Sequence, residues 1–158
     1  MKLLGLDVGD RRVGIAFGDT DLRLATPVDV ITRATPEQDA RALAVFAQKY
    51  DIAQLVVGLP RNMDGTQGAQ ANAVVVYAEK IARALDLPLL FWDERLTTIE
   101  AAQRMLPQAG RKKKARRALD AIAAALILQD FMDSQSVPKF PLTSASSSLD
   151  GNSGELGT

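Results

Sequence analysis

Residues 2–18 read KLLGLDVGDRRVGIAFG, and this stretch decides the fold. Its first part, residues 2–8, is almost wholly apolar and predicts a buried strand. A Gly-Asp pair supplies turn chemistry, and residues 12–18 then alternate with the period of a second strand. One face of that second strand is made of small residues, namely Gly14, Ala16 and Gly18. We expect this small face to be approached closely by a helix, another backbone or a ligand.

The rest of the chain adds one more strand and then alternates between helices and strands. Residues 23–31 predict a third strand, and Pro27 within it favours an edge position because proline cannot donate to a neighbouring strand. Further predicted elements are a helix beginning at Thr35-Pro36 and ending near Tyr50, a strand at 52–58, a loop at 59–68, a helix at 70–85, a strand at 87–94, a helix at 97–106, a loop at 107–111 and a helix at 115–132. This order predicts an α/β fold with a mixed sheet, in which three antiparallel N-terminal strands are followed by parallel strands with helices on both faces.

The length and composition fit one folded domain. The chain has 158 residues, of which 47% are apolar and 24% charged. We predict a single domain at residues 1–133. Residues 134–158 are rich in serine and glycine, carry few large apolar side chains and predict a disordered tail. No apolar run is long enough to span a bilayer, and an aspartate interrupts the N-terminal apolar run, so we expect a cytoplasmic protein.

The residue types that the sequence lacks narrow its chemistry. There is no cysteine and no histidine, which excludes disulfide scaffolds, thiolate zinc sites and Ser-His-Asp triads. Catalysis would have to use carboxylates, lysine, hydroxyls, backbone amides or a hard metal ion held by oxygen atoms.

Acidic residues stand at the ends of three apolar elements. Asp7 lies near the end of the first strand, where it is either a turn residue bonded to nearby backbone amides or to Arg11 or Arg12, or a metal ligand. Asp93 and Glu94 end another strand, and strand alternation cannot decide which of them shares a face with Asp7. Asp120 lies on an alanine-rich helix, where the helix dipole explains it only if the helix begins shortly before it. Together these carboxylates suggest a site for Mg²⁺ or Mn²⁺ ions that activate water against a phosphodiester.

The positive charge of the chain is concentrated in one segment. Residues 104–117 contain seven basic and no acidic side chains, whereas the formal net charge of the whole chain is zero. A basic run is often only a solvated surface, but a phosphate backbone would relieve the repulsion within it. The loop that contains Arg61 could also become ordered on a substrate.

Four motifs resemble those of the YqgF/RuvX family. They are GLDVGDRRVGIA at 5–16, VGLP at 57–60 with NMDG at 62–65, DERLTT at 93–98, and Asp120-Ala121-x-Ala123-Ala124. The resemblance covers about residues 1–133. It implies an RNase H-like fold related to RuvC resolvases and a metal-dependent nuclease that matures the 5′ end of pre-16S ribosomal RNA. The family has also been described as a Holliday junction resolvase. The family's acidic positions fall on Asp7, Glu94 and Asp120, so the resemblance favours Glu94 over Asp93.

The leading hypothesis is therefore a phosphodiesterase that acts on structured RNA. Asp7, Glu94 and Asp120 would be both the catalytic residues and the ligands of one or two Mg²⁺ or Mn²⁺ ions. The residues expected to bind nucleic acid are Arg12, Arg61, Arg95, Lys112, Lys113, Lys114, Arg116 and Arg117. One alternative is a dimeric resolvase of branched DNA, and another is a nucleic-acid-binding module without catalysis. An actin-like ATP phosphotransferase is less compatible with so short a chain.

Overall fold

Five strands form one mixed sheet in the computed structural model, which describes residues 1–94 and 112–136 except for the side chains of 112, 113 and 136. The strands are β1 (Lys2–Val8), β2 (Arg12–Asp19), β3 (Leu24–Thr32), β4 (Gln54–Leu59) and β5 (Leu89–Asp93), and the described helices are α1 (Pro36–Lys49), α2 (Ala69–Leu85) and α3 (Lys112–Ser136). The predicted helix at 97–106 and loop at 107–111 lie outside the described residues. The predicted tail also lies outside them, apart from the end of α3, and stays a prediction.

The order of the strands is β3-β2-β1-β4-β5. The pairs β1–β2 and β2–β3 are antiparallel, whereas β1–β4 and β4–β5 are parallel, so the predicted mixed topology is confirmed. The strand that contains Pro27 lies at the edge of the sheet, as predicted. Its pairing with β2 shifts between Ile15 and Ala16, beside that proline, which is where a strand tolerates a missing donor.

Helices cover both faces of the sheet, also as predicted. Leu4, Leu6 and Val8 of β1 belong to the core cluster that includes buried side chains of α1 and α2. Leu3 belongs to the second cluster, which includes α3. Because successive strand residues point to opposite faces, Asp7 points to the same side as Leu3, towards α3.

Small residues let α3 approach the sheet closely. A Cβ atom at Gly14 would overlap the carbonyl group of Asp120, and one at Gly5 would lie 3.2 Å from the carbonyl oxygen of Ala124. The matching surface of α3 contains buried alanines, namely Ala121, Ala123, Ala124 and Ala125. The small face of β2 is thus explained by a helix rather than by a strand or a ligand.

A buried polar contact joins the two helices on the opposite face. Asp39 is 2% exposed, and its carboxylate accepts hydrogen bonds from the Tyr77 hydroxyl at 2.7 Å and the Ala34 amide at 2.9 Å. Burial, followed by the hydrogen bond to Asp39, raises the pKa of Tyr77 above its ordinary value. The guanidinium of Arg33 lies 4.2 Å from the centre of the Tyr77 ring, which adds a cation–π contact. This arrangement anchors the first turn of α1 against α2.

The helices of the described part of the chain include none that is both long and apolar enough to cross a membrane.

Candidate active site

Three parallel strands end at the same edge of the sheet. Because β1, β4 and β5 run in the same direction, their carboxyl ends lie side by side. Asp7 is the penultimate residue of β1, and Glu94 directly follows β5. Trp92 packs edge-on against Phe131 of α3 with ring centres 5.6 Å apart, and alternation puts Glu94 on that same side. The topology therefore brings two acids, far apart in sequence, to the α3 face of one edge.

Gly58 of β4 leaves the space that the Glu94 side chain uses. Gly58 pairs with Trp92 in the sheet, and a Cβ atom at Gly58 would lie 2.7 Å from Oε2 of Glu94. Any larger residue would push the carboxylate away from its present position. The sequence signal for this role is a glycine within an apolar strand, which often marks a close approach.

Asp7 and Glu94 are hydrogen-bonded to each other. Burial and the charge of Asp120 together raise the pKa of Asp7 to about 6, although the hydrogen bond from Glu94 acts in the opposite direction. Burial, the charge of Asp7, the shared hydrogen bond and the charge of Asp93 all raise the pKa of Glu94, to about 7. These causes make Glu94 the member that holds a proton and donates it to Asp7. The charge of either acid therefore depends on whether the other holds a proton.

Asp120 lies on α3, over the strand that pairs with β1. The helix begins at Lys112, so Asp120 is about two turns from its N-terminus, and the helix dipole does not explain an acid there. Gly14 pairs with Asp7 in the sheet and contacts the backbone of Asp120, which places the acid near Asp7. Its carboxylate accepts a hydrogen bond of 2.5 Å from Nε of Arg12 in a partly buried ion pair.

The predicted acids are therefore neighbours, but they do not have equivalent surroundings. Asp7 and Glu94 are in contact with each other, whereas Asp120 is in contact with Arg12. Within residues 1–94 and 112–136, no group of three or more histidine, cysteine, aspartate or glutamate side chains is arranged so that it could hold a metal ion. The sequence pattern suggests a contact of Arg11 or Arg12 with Asp7, and it gives no sign of the contact of Arg12 with Asp120.

The predicted basic residues are spread around this edge, with different surroundings. Lys114 and Arg116 are exposed on the first turns of α3. Arg117 donates from Nη2 to the carbonyl oxygen of Val30 at 2.8 Å, so this side chain also fastens α3 to the edge strand. Arg61 is exposed in the loop that follows β4, where Nη1 lies 3.5 Å from the carbonyl oxygen of Gly65. Residue 95 lies outside the described residues, as do the side chains of residues 112 and 113.

Two solved structures share this fold. The RuvC protein of T. thermophilus, solved in complex with a Holliday junction substrate, aligns with a TM-score of 0.53 and 14% identity over 85% of this chain and 96% of its own. The Fowlpox virus resolvase, in complex with Holliday junction DNA, aligns with a TM-score of 0.51 and 9% identity over 86% and 99%. These similarities confirm the predicted RNase H-like fold class.

Sequence comparisons identify the family. The family model described as "RuvX: Holliday junction resolvase" matches residues 1–134. A protein of Caldanaerobacter subterraneus subsp. tengcongensis is 38% identical over 136 residues, which are 85% of this chain and 98% of that protein. A protein of Desulforamulus reducens is 42% identical over 135 residues, again 85% and 98%. Both carry the name "Putative pre-16S rRNA nuclease". The chain therefore belongs to the RuvX family.

Proposed function

We propose that the protein is a metal-dependent nuclease that hydrolyses phosphodiester bonds of structured RNA, in 5′-end processing of pre-16S ribosomal RNA in the cytoplasm. The observation that carries this proposal is the contact between the partly buried carboxyl groups of Asp7 and Glu94 at the carboxyl edge of the sheet. Membership of the RuvX family supports the hydrolase class. The names of the relatives support ribosomal RNA as the substrate.

Two carboxylates of this edge, those of Asp7 and Glu94, fit a divalent cation. Asp7 and Glu94 are mostly buried carboxylates in direct contact, and in the described part of the chain no lysine or arginine forms an ion pair with either of them. Burial, and after it the charge of a neighbouring carboxylate, raises the pKa of each acid, and a bound cation would oppose both effects. Carboxylate oxygens are the ligands that Mg²⁺ and Mn²⁺ prefer, so Asp7 and Glu94 would hold such an ion, with Asp120 as a further ligand. When bound, the ion supplies positive charge to the oxygens of the reacting phosphodiester.

The other residues of the edge bind and orient the nucleic acid. Lys114 and Arg116 lie exposed on the same helix as Asp120, so phosphates that they contact are brought towards the acidic site. Arg61 extends from the loop that follows β4, the strand whose Gly58 lies against Glu94. Contacts of this kind hold the backbone without selecting a base sequence. Selectivity for a structured RNA would then come from the shape of the RNA, whose phosphates must reach all of these side chains at once.

A resolvase of four-way DNA junctions is the second candidate, because the matching family is described by that activity. It uses the same carboxylates but needs two coordinated cuts and therefore a homodimer. A nucleic-acid-binding module without catalysis is the third.

A paired-substrate assay separates these functions. Purified protein is incubated with precursor 16S RNA and with a four-way DNA junction, each with Mn²⁺ or with EDTA. We expect Mn²⁺-dependent cleavage of the RNA, which Asp7→Asn reduces to the level seen with EDTA. Asp10→Asn is the matched control, because Asp10 is an exposed acid in the adjacent turn. Faster cleavage of the junction would favour the resolvase, and absence of turnover with every divalent ion would favour the binding module. Cleavage that survives Asp7→Asn or EDTA would refute the site.

A further inference from the structure

Arg12 and Asp120 form the tightest charged contact in the described part of the chain. Nε of Arg12 lies 2.5 Å from Oδ2 of Asp120, and their side chains are 32% and 24% exposed. An ion pair sheltered to this degree is screened less than one on an open surface. Arg12 is also the first residue of β2, so its backbone is fixed by the sheet and its side chain points to the α3 face together with Gly14.

This contact connects the binding of a metal ion with the binding of a nucleic-acid phosphate. Asp120 lies next to Gly14, the residue that pairs with Asp7 in the sheet, so it belongs to the acidic site. Arg12 is a cation at the rim of the same site, where a phosphate of a bound nucleic acid would pass. The two side chains neutralise each other in the free protein. A divalent ion that uses Asp120 must therefore compete with the guanidinium for the same carboxylate.

We propose that Arg12 withholds the Asp120 carboxylate from divalent ions until a nucleic-acid phosphate binds the Arg12 guanidinium, so that substrate and metal bind cooperatively. This inference rests on the proposed nuclease function and adds a positioning role for Arg12. A guanidinium can exchange a carboxylate for a phosphate with little loss, because both anions match its planar array of donors. Binding linkage is reciprocal: if RNA strengthens metal binding, metal must strengthen RNA binding by the same factor.

In the free protein, the ion pair with Arg12 would weaken the binding of a divalent ion by Asp120. Asp7 and Glu94 remain open to a first ion, because neither is in the ion pair with Arg12. Release of Asp120 would complete the ligand set only when a phosphate is present. In such a nuclease the full set of metal ligands would form only when the substrate is bound.

The test is Mn²⁺ binding measured by isothermal titration calorimetry on the full chain, without turnover. Wild type is compared with Arg12→Gln and with Arg11→Gln, a control that removes an exposed arginine from the adjacent position. We expect Arg12→Gln to bind Mn²⁺ about five- to tenfold more tightly than wild type, which is within the usual range of coupling between sites. Arg11→Gln should stay within about twofold, because an exposed charge is screened by salt.

A double-mutant cycle distinguishes release of Asp120 from a general electrostatic effect. In an Asp120→Asn background, Arg12→Gln should no longer strengthen Mn²⁺ binding, since the carboxylate that it releases is absent. If the gain persists in that background, Arg12 acts only through its charge and the inference is wrong. Unchanged or weaker Mn²⁺ binding by Arg12→Gln would also overturn it, and a merely structural role of Arg12 predicts that weaker binding.

A measurement on wild-type protein makes the inference independent of the folding of any variant. A short RNA with 2′-O-methyl sugars keeps the backbone charge and has no sulfur atom that would itself bind Mn²⁺, and a gel run after the titration checks that it is uncleaved. This RNA should strengthen Mn²⁺ binding by wild type, and by Arg11→Gln, by about the factor seen for Arg12→Gln alone. Equal Mn²⁺ affinity with and without RNA would refute the inference. The proposed function has a separate readout, since RNA cleavage by wild type would still establish the nuclease if metal and RNA bound independently.

Discussion

Replacing Glu94 with glutamine should stabilise the metal-free protein at high pH while removing its activity. Glutamine keeps the shape of the side chain and can still donate a hydrogen bond to Asp7, but it cannot ionise. In wild type, burial and the charge of Asp7 raise the pKa of Glu94 from 4.5 to about 7. Between these values the folded state binds more protons than the unfolded state, so wild-type stability falls as the pH rises through this window. The glutamine of the variant does not ionise, so the variant does not lose stability in this way.

The magnitude follows from the difference between the two pKa values of Glu94. That difference corresponds to about 3 kcal/mol when Glu94 is fully ionised, at pH 8, and to less than about 1 kcal/mol at pH 5. Because Glu94 and Asp7 are coupled, we expect a net gain of about 2 kcal/mol at pH 8, or about 6 °C in Tm for a chain of this size.

Urea unfolding with EDTA present, followed by the fluorescence of Trp92, measures the free energy of unfolding at both pH values. Trp92 is the single tryptophan of the sequence and packs against α3. Glu79→Gln on α2 is the matched control, because it removes an exposed carboxylate outside the site and should change stability by less than about 0.5 kcal/mol. A gain of equal size at pH 5 and pH 8, or a loss at pH 8, would refute the reasoning about the coupled pair.

Three further predictions concern packing, a buried hydrogen bond and the binding of nucleic acid. Gly14→Ala should lower the free energy of unfolding by about 3 kcal/mol and abolish cleavage, because its Cβ would overlap the backbone of Asp120. Denaturant titration and the cleavage assay test this prediction, and a stable, active variant would contradict it. Tyr77→Phe should lower the free energy of unfolding by about 1–3 kcal/mol, because the buried Asp39 carboxylate loses the hydroxyl that donates to it at 2.7 Å. Cleavage should be unchanged at temperatures well below Tm. A free energy of unfolding equal to that of wild type would contradict this prediction. If about five basic side chains contact single-stranded phosphates, the logarithm of RNA affinity should fall against the logarithm of salt concentration with a slope of about −3 to −4, as filter binding can measure. A slope near zero would contradict the expected phosphate contacts of residues 111–117.

The sheet can be predicted from sequence because its signals are local. Alternation in residues 12–18, the capping residues at Thr35-Pro36 and the position of Pro27 each correspond to one feature of the structure. The boundaries of α3 are predicted less accurately: the helix begins at Lys112 and extends to Ser136, whereas the sequence pattern predicts 115–132. Its ends carry charged and polar residues that a periodicity argument does not weigh, so the apolar middle alone defines the prediction.

The candidate site can be predicted only in part, because its contacts join distant parts of the chain. Acids at the ends of apolar elements single out Asp7 and Asp120 by their positions in the sequence. The choice of Glu94 over Asp93 comes from the family resemblance, and its structural reason is the pairing of Trp92 with Gly58. Neither the hydrogen bond between Asp7 and Glu94 nor the pairing of Asp120 with a specific arginine is visible in a linear pattern.

Proton release on metal binding tests the central claim most directly, namely that Asp7 and Glu94 share a proton in a site built for a divalent ion. Titration of Mn²⁺ into the protein in buffers of different ionisation enthalpy counts the protons released per ion. We predict release of about one proton at pH 6, when Glu94 holds its proton, and much less at pH 8.5, with binding greatly weakened by Asp7→Asn. Binding of Mn²⁺ without proton release at pH 6, or binding that Asp7→Asn leaves intact, would contradict the account.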